Sequence, residues 1–310
     1  MKDCFFEIFI PSFRQQDKLN TCLQSIGDQS FRSFQVTIID DASGENYDSI
    51  LNAGWPFKIK VLTNQFNYGA VNNMLHCMEI ESRSPYVLVF HEDDIMHPQY
   101  LQTAHTYLSK DKNISLFVST MSFYNGQSTP VFDDLNLVNL KIIDEEKDLI
   151  RQFLLGKSIS LSSCIYQKNE LDPKRFDLER FSMLGDRPFM CQFLGDKKCI
   201  AFADGNFIIA DDHSEADSRW KSLRVKHLQN LFSYYKSFFT KSDKGDRHFL
   251  NIHLTRLTME AYALLENQFK PGRLSYVVSN ILKGNLSPKY YLLLYPVVRR
   301  SIEKVKGKLQ

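Results

Sequence analysis

Tyr86-Val87-Leu88-Val89-Phe90-His91-Glu92-Asp93-Asp94, followed by Ile95-Met96-His97-Pro98, is the stretch on which the reading of this 310-residue chain turns. An unbroken apolar run of strand length leads straight into three consecutive carboxylates. A strand that is apolar on both faces is buried on both faces, the habit of parallel strands in α/β folds. The carboxyl ends of such strands are where open α/β sheets bind ligands. Three adjacent acids repel one another unless positive charge sits among them. A hard divalent cation fits, because it takes Asp and Glu oxygens as ligands. The competing reading is an acidic turn capping the helix that His97-Pro98 opens, with Asp94 stabilising its first turn.

Upstream, strands and helices alternate. Phe5 to Ile10 reads as a first strand ending at Pro11-Ser12-Phe13-Arg14, and Leu19, Cys22, Leu23 and Ile26 mark a helix that Gly27 stops. Gln35 to Ile39 is a second buried strand, ending in Asp40-Asp41-Ala42-Ser43-Gly44. A helix over 45–52, a strand over 58–62, the turn Asn64-Gln65-Phe66-Asn67-Tyr68-Gly69 and a helix towards Glu79 complete the run. This order predicts a mainly parallel sheet with right-handed crossovers. The loop after the first strand holds no glycine, so the fingerprint by which a dinucleotide fold closes on pyrophosphate is missing, and no P-loop occurs. Acids end the second and fourth strands on one edge instead. Phosphate and carboxylate share a site only when a cation joins them, which points to a nucleoside diphosphate held through a metal.

Bulk composition narrows the class. A net charge of +2 argues against a whole-protein nucleic-acid binder. Six scattered cysteines without a Cys-x-x-Cys pair read as reduced thiols, and Cys164, Cys191 and Cys199 as core. With no secretory pattern at the start and no apolar run of membrane-spanning length, the expected location is the cytoplasm.

Five stretches together resemble the family 2 glycosyltransferases of the GT-A fold, bacterial surface-polysaccharide enzymes (lipopolysaccharide or capsule) above all. They are Ile8 to Phe13, Leu23 to Phe31, Ile38 to Ser43, Asn67-Tyr68-Gly69 and His91 to Pro98. Each is short, but their order and spacing agree across about the first hundred residues. The resemblance implies that Pro11, Ser12, Arg14, Asp40, Asp41, Asn67 and Gly69 surround the donor nucleotide. It implies that Asp93 binds the metal or the ribose, and that Asp94 contacts Mn2+ or Mg2+ most directly. Two departures stand out: His91 replaces the first acid of the family's Asp-x-Asp-Asp, and Asn72, Asn73 and Met74 occupy the place of a nucleotide-contacting arginine.

Further along, strands are expected over 113–122 and 160–166, a polar loop over 123–144, a helix over 145–155 and a strand pair over 198–209. The family carries its catalytic base near a helix start, some members in a Gly-Asp-x-Pro form, and Gly185-Asp186-Arg187-Pro188 matches that form. Asp186 is the implied base, with an ordinary helix cap as the alternative. A base is needed because an acceptor hydroxyl is a poor nucleophile until its proton is removed. His213 falls where relatives place a histidine near metal and diphosphate; a surface or structural histidine is the alternative. Beyond Glu215 the chain turns helical and aromatic, and residues 290–310 combine tyrosines, an apolar stripe and Arg299, Arg300, Lys304, Lys306 and Lys308. That pattern suits an interfacial helix on anionic lipid, or a helix packed on protein; it offers no base-stacking platform for nucleic acid.

The expected architecture is therefore an α/β, Rossmann-like GT-A domain over 1–214, with a donor half to about 98 and an acceptor half after it. A helical C-terminal region follows over 215–310. The expected activity is inverting, metal-dependent hexosyl transfer from a nucleoside-diphosphate sugar to a glycan or lipid-linked oligosaccharide. A sugar-nucleotide pyrophosphorylase and a non-catalytic glycan- or membrane-associated protein of the same fold are the alternatives.

Overall fold

A computed structural model describes residues 4–124, 132, 138–195, 198–211, 225–239 and 244–264. The chain divides into two compact units, Met1–Ser222 and Leu223–Gln310. The strands of the first unit are β1 (Phe6–Ser12), β2 (Phe34–Asp40), β3 (Lys58–Thr63), β4 (Tyr86–Val89), β5 (Ile95–Met96), β6 (Ile114–Tyr124), β7 (Asn139–Ile143), β8 (Cys164–Gln167) and β9 (Cys199–Asp211). Its helices are α1 (Gln16–Gly27), α2 (Asp48–Leu51), α3 (Ala70–Glu79), α4 (Tyr100–Leu108), α5 (Glu146–Leu154), α6 (Leu178–Phe181) and α7 (Asp186–Cys191).

All nine strands join one sheet in the order β3-β2-β1-β4-β8-β6-β9-β5, with β7 also on β9. Strands β3, β2, β1, β4, β6 and β9 point the same way, and β8, β7 and β5 run against them. The sheet is thus mainly parallel, flanked by helices, as the apolar runs require. Phe6, Ile8, Phe9 and Ile10 of β1 and Val87, Leu88 and Val89 of β4 are fully buried, which only a strand covered on both faces allows. Helix α1 lays Leu19, Cys22, Leu23 and Ile26 into the same core. Each such side chain contributes about 1.5–3 kcal/mol by leaving water.

Two polar residues inside β1 need separate reasons. Buried Glu7 accepts from the Thr37 hydroxyl at 2.8 Å and the Ser82 hydroxyl at 2.5 Å, with Lys60 Nζ 3.5 Å away, so its charge is met. Pro11 has no N–H to give a ladder. Phe9 accepts from Phe90 on the β4 side, while Ser12 accepts from Asp41 on the β2 side. By alternation, the nitrogen of Pro11 faces β4 just beyond its last residue, so no ladder bond is lost.

The second half of the sheet departs from expectation at three places. The loop expected over 123–144 contains β7, antiparallel to β9 from Asn139↔Asp204 to Ile143↔Ile200. Residues 198–209 are not a strand pair but part of one 13-residue strand, β9. Its register against β6 shifts around Ser119 to Met121, opposite Ala203 to Ile208, and Gly205 sits in that bulge. A Cβ at Gly205 would lie 2.4 Å from Val138 Cγ2, so a residue that looks like a turn former is there to let two segments approach. Two-residue β5, unforeseen, pairs with Ile208 and Ile209 of β9.

The second unit contributes the helices Val225–Phe239 and Lys244–Leu264. His227, Leu231, Tyr235 and Phe239 are buried at four-residue spacing on the first of them, an amphipathic stripe. No helix among the described residues is long and apolar enough to cross a membrane. The basic stretch over 290–310 lies outside the described residues.

Candidate active site

Four strand ends meet at the carboxyl edge of the sheet. Strand β4 leaves its ladder at Val89 and turns: Asp94 N–H donates to the His91 carbonyl at 3.2 Å, a four-residue β-turn. The turn brings its first and last side chains together, with His91 Nδ1 3.7 Å from Asp94 Oδ2. His91, Asp93 and Asp94 each offer a ligand atom, all within 4.8 Å of one another. Asp94 is buried to 2% exposure. The concentration of negative charge is felt by the buried Cys22 thiol, which burial first, and then Asp94, Asp93 and Glu92, push well up.

The turn is held from behind by Cys22, Ser25 and Gln29, on α1 and just after it. Cys22 Sγ donates to the His91 carbonyl at 3.5 Å, and Met96 N–H donates to Ser25 Oγ at 3.0 Å. Gln29 gives its amide N–H to the His97 carbonyl at 2.7 Å and accepts from Leu101 N–H at 3.0 Å. Two motifs about seventy residues apart are thus halves of one support.

Glu92 does not join the acids beside it. Its Oε2 accepts from the Ser12 hydroxyl at 2.5 Å and its Oε1 from Phe13 N–H at 3.1 Å. Burial lifts its carboxyl to about 7, against the pull of those two donors, with Asp93 and Glu45 adding to the rise. Ser12 Oγ lies 3.3 Å from the Tyr47 hydroxyl, which donates to Asp40 Oδ1 at 3.1 Å. Asp40 Oδ1 also accepts from Ser43 N–H at 3.2 Å.

Asp40 and Asp41, adjacent in sequence, do different work. The Asp41 carboxylate is taken up by the turn after β3: Oδ1 accepts from Asn64 Nδ2 at 2.9 Å and Tyr68 N–H at 2.8 Å, and Oδ2 from Gly69 N–H at 2.8 Å. Asn67 Oδ1 accepts from the same Gly69 N–H at 2.8 Å, and Gly69 has φ +80°, open to glycine alone at no cost. Asn73, in the place of the expected arginine, is buried and donates to the Ile39 carbonyl at 3.1 Å. Arg14 is exposed, at φ +57°, with its guanidinium 5.0 Å from the Phe13 ring. It borders an open groove of about 670 Å3 with Gln15, Gln16, Lys18, Glu45 and Asn46. Lys18 closes one side of that region through Asp211, 3.1 Å away at the end of β9. His213, two residues on, lies outside the described residues.

Asp186 reaches this edge by topology alone. Strand β8 runs against β4, pairing Leu88 with Ile165, so its first residue, Cys164, stands beside the carboxyl end of β4. The helix that Asp186 begins packs on β8, with Met190 Sδ 3.9 Å from Cys164 Sγ and the Phe189 ring 6.1 Å from that of Tyr166; burial first, and Asp186 among lesser causes, raises the pKa of Cys164 and Tyr166. Asp186 is the first residue of α7, and its Oδ1 accepts from Arg187 N–H at 2.8 Å. Burial lifts its carboxyl to about 6, against the Arg187 charge and two backbone N–H groups. Gly185 before it is needed for space: a Cβ there would lie 2.8 Å from the Phe176 ring.

A mainly parallel sheet with acids collected at its carboxyl edge, beside an open groove, has the layout in which open α/β enzymes bind their ligands. The family is definite: the description "Glycosyl transferase family 2" matches residues 7–164, just over half of the chain, and this chain belongs to that family. It is 25% identical over 244 residues to the poly(ribitol-phosphate) beta-N-acetylglucosaminyltransferase TarP of Staphylococcus aureus (strain N315), covering 75% of this chain and 71% of TarP. A Haemophilus influenzae protein named only as an uncharacterized glycosyltransferase is 24% identical, with 78% and 79% covered. The crystal structure of S. aureus TarS 1–349 in complex with UDP-GlcNAc superposes with a TM-score of 0.57 at 14% identity, over 89% of this chain and 79% of that one. That likeness is one of fold.

Proposed function

We propose that this glycosyltransferase moves a sugar, with inversion, from a nucleoside-diphosphate donor to a hydroxyl of a glycan acceptor, using a divalent metal. The observation that carries the reading is the cluster of His91, Asp93 and Asp94 on the turn after β4, whose possible ligand atoms all lie within 4.8 Å of one another.

The ligand set fits a metal. Two carboxylates and an imidazole offer oxygen and nitrogen atoms within 4.8 Å of one another, the donor types that a divalent cation takes. Asp93 and Asp94 would hold the ion together with His91, and His213 keeps its proposed place as a further ligand. Once bound, the ion supplies positive charge against the diphosphate leaving group. An imidazole in the set favours Mn2+ over Mg2+, which prefers oxygen alone.

Pro11, Ser12, Arg14, Asp40, Asn67 and Gly69 surround the donor nucleotide in this reading. Asp41 acts one step back, by fixing the turn that carries Asn67 and Gly69. Asp186 takes the acceptor proton as the hydroxyl oxygen attacks the anomeric carbon; one displacement then inverts that centre. Its carboxyl, lifted to about 6, is a stronger base than an ordinary aspartate yet still ionised at neutral pH.

For the acceptor, the lipid-linked oligosaccharide expected of a surface-polysaccharide enzyme stands beside a polyol-phosphate polymer, the substrate class in TarP's name. Action in the cytoplasm, with the 290–310 stretch resting on the inner membrane, belongs to the same reading, as does a catalytic domain closing near 214. A panel of UDP-, dTDP-, GDP- and CDP-sugars, screened by calorimetry with and without Mn2+, tests the donor reading. Binding of one of them only with metal is the expected result, and no metal-dependent binding of any would overturn it.

A further inference from the structure

Glu92 is the odd member of its acidic run. His91, Asp93 and Asp94 face one another, while Glu92 turns back across the sheet edge to the end of β1. From there a line of buried polar groups continues: Glu92 Oε2 to Ser12 Oγ at 2.5 Å, Ser12 Oγ to Tyr47 Oη at 3.3 Å, Tyr47 Oη to Asp40 Oδ1 at 3.1 Å. All four residues are at most 9% exposed. The line crosses three strand ends, from the β4–β5 turn to the loop after β2. Tyr47 directly precedes α2, and its ring is buried at 6% exposure, so its hydroxyl is held where it is by packing.

The proton count makes the line behave as one unit. Ser12 gives its one hydroxyl proton to Glu92 and Tyr47 gives its own to Asp40, so the 3.3 Å contact between the two hydroxyls is bridged only when one of them turns away from its carboxylate. Whatever one end accepts alters what the other end is offered, and networks of this kind respond as a whole. We propose that Glu92 and Tyr47 are positioning residues: through Ser12 and Asp40 they set where the donor's nucleoside half sits relative to the acids that grip its diphosphate. The inference rests on the donor reading above and adds two residues to it. Neither touches the reacting atoms. Their effect is on registry between two halves of one ligand, and it should therefore vanish for a ligand that has only one half.

The experiment uses the full chain with Mn2+ and two probes, inorganic pyrophosphate for the metal half and UDP, dTDP, GDP and CDP for the whole. Variants are Glu92→Ala, Glu92→Gln, Tyr47→Phe and the Glu92→Ala/Tyr47→Phe double. Removing one buried, charge-assisted hydrogen bond should weaken the nucleoside diphosphate bound by the unmodified protein about ten-fold. Pyrophosphate affinity should stay within about two-fold, and the double variant should be little worse than the worse single one, as expected for one network. Glu92→Gln, which keeps one oxygen for Ser12 but turns an NH2 towards Phe13 N–H, should recover part of the loss. The inference falls if pyrophosphate weakens in step, because Glu92 then acts on the metal. It also falls if Tyr47→Phe leaves nucleotide affinity unchanged in a protein of unaltered Tm, or if the two losses add. If the unmodified protein binds none of the four nucleotides with metal, the donor reading fails, and this inference with it.

Discussion

The two halves of the sheet teach different lessons about what positions a site. From β3 to β4 every pairing is parallel and every strand ends in its own short, polar, chemically loaded loop: Ser12, Asp40, Asn64, His91. From β8 to β5 the sheet is mixed, one strand is bulged and 13 residues long, and the acid of interest lies on a helix rather than at a strand end. In the first half, location follows from where each strand stops. In the second it follows from which strand is inserted where, because antiparallel β8 turns its beginning towards the end of β4. The proposed donor side is built from local rules, and the place of the proposed base from a long-range pairing.

If that division is right, the strongest test separates the halves by what each loses. Asp94→Ala should lower turnover by about a thousand-fold or more and abolish metal-dependent nucleotide binding as well. Asp186→Asn should lower kcat by about a hundred- to ten-thousand-fold while donor binding persists. Steady-state kinetics with calorimetry on both variants checks this; nucleotide binding lost in Asp186→Asn would erase the distinction.

Next in size is a change that moves the base without removing it. Gly185→Ala forces a Cβ to within 2.8 Å of the Phe176 ring, so either that ring or the start of α7, with Asp186, must give way. A drop in kcat of about ten- to a hundred-fold is expected, at unchanged nucleotide affinity.

A third probe is pH. The Asp186 carboxyl is raised from 3.8 to about 6, so kcat should climb as pH rises through about 6 and then level off. The same shift has a stability cost of known sign. The folded state holds that proton more tightly than the unfolded one, so stability present below about pH 4 is lost as pH rises through 6. Asp186→Asn should accordingly raise the stability at pH 8, by on the order of 1–3 kcal/mol and visible as a higher Tm, and leave it unchanged near pH 3.5. A thermal-melt series across that range is decisive.

The smallest effect concerns the metal. His91→Asp, which restores an all-oxygen set, should shift the Mn2+/Mg2+ activity ratio towards Mg2+ by a few-fold. An unchanged ratio would place His91 outside the ligand set.

Legibility followed the same division. Buried parallel strands announce themselves as apolar runs, and both the run at Tyr86–Phe90 and the acids after it could be read directly. Strand β7 could not: Asn139-Leu140-Lys141-Ile142-Ile143 is half exposed, and only its partner β9 makes it a strand. Gly205 marks a bulge rather than a turn because Val138 presses against it, a fact about two distant segments. Glu92 sat in plain sight inside the acidic run, but nothing local says that it faces Ser12, eighty residues earlier. Asp41 could be told from Asp40 only once the amides of Tyr68 and Gly69 were seen to converge on it.

What the amino-acid order determined by itself was the alternation of elements, the parallel character of the sheet and the edge at which acids collect. Those depend on hydrophobic period and on where each run stops, which are properties of neighbours in the chain. What only the tertiary structure decided was which acid faces which partner and which strand the helix of Asp186 packs on. A side chain's direction at a strand end is set by the residues packed around it, and here those arrive from other strands, tens of positions away.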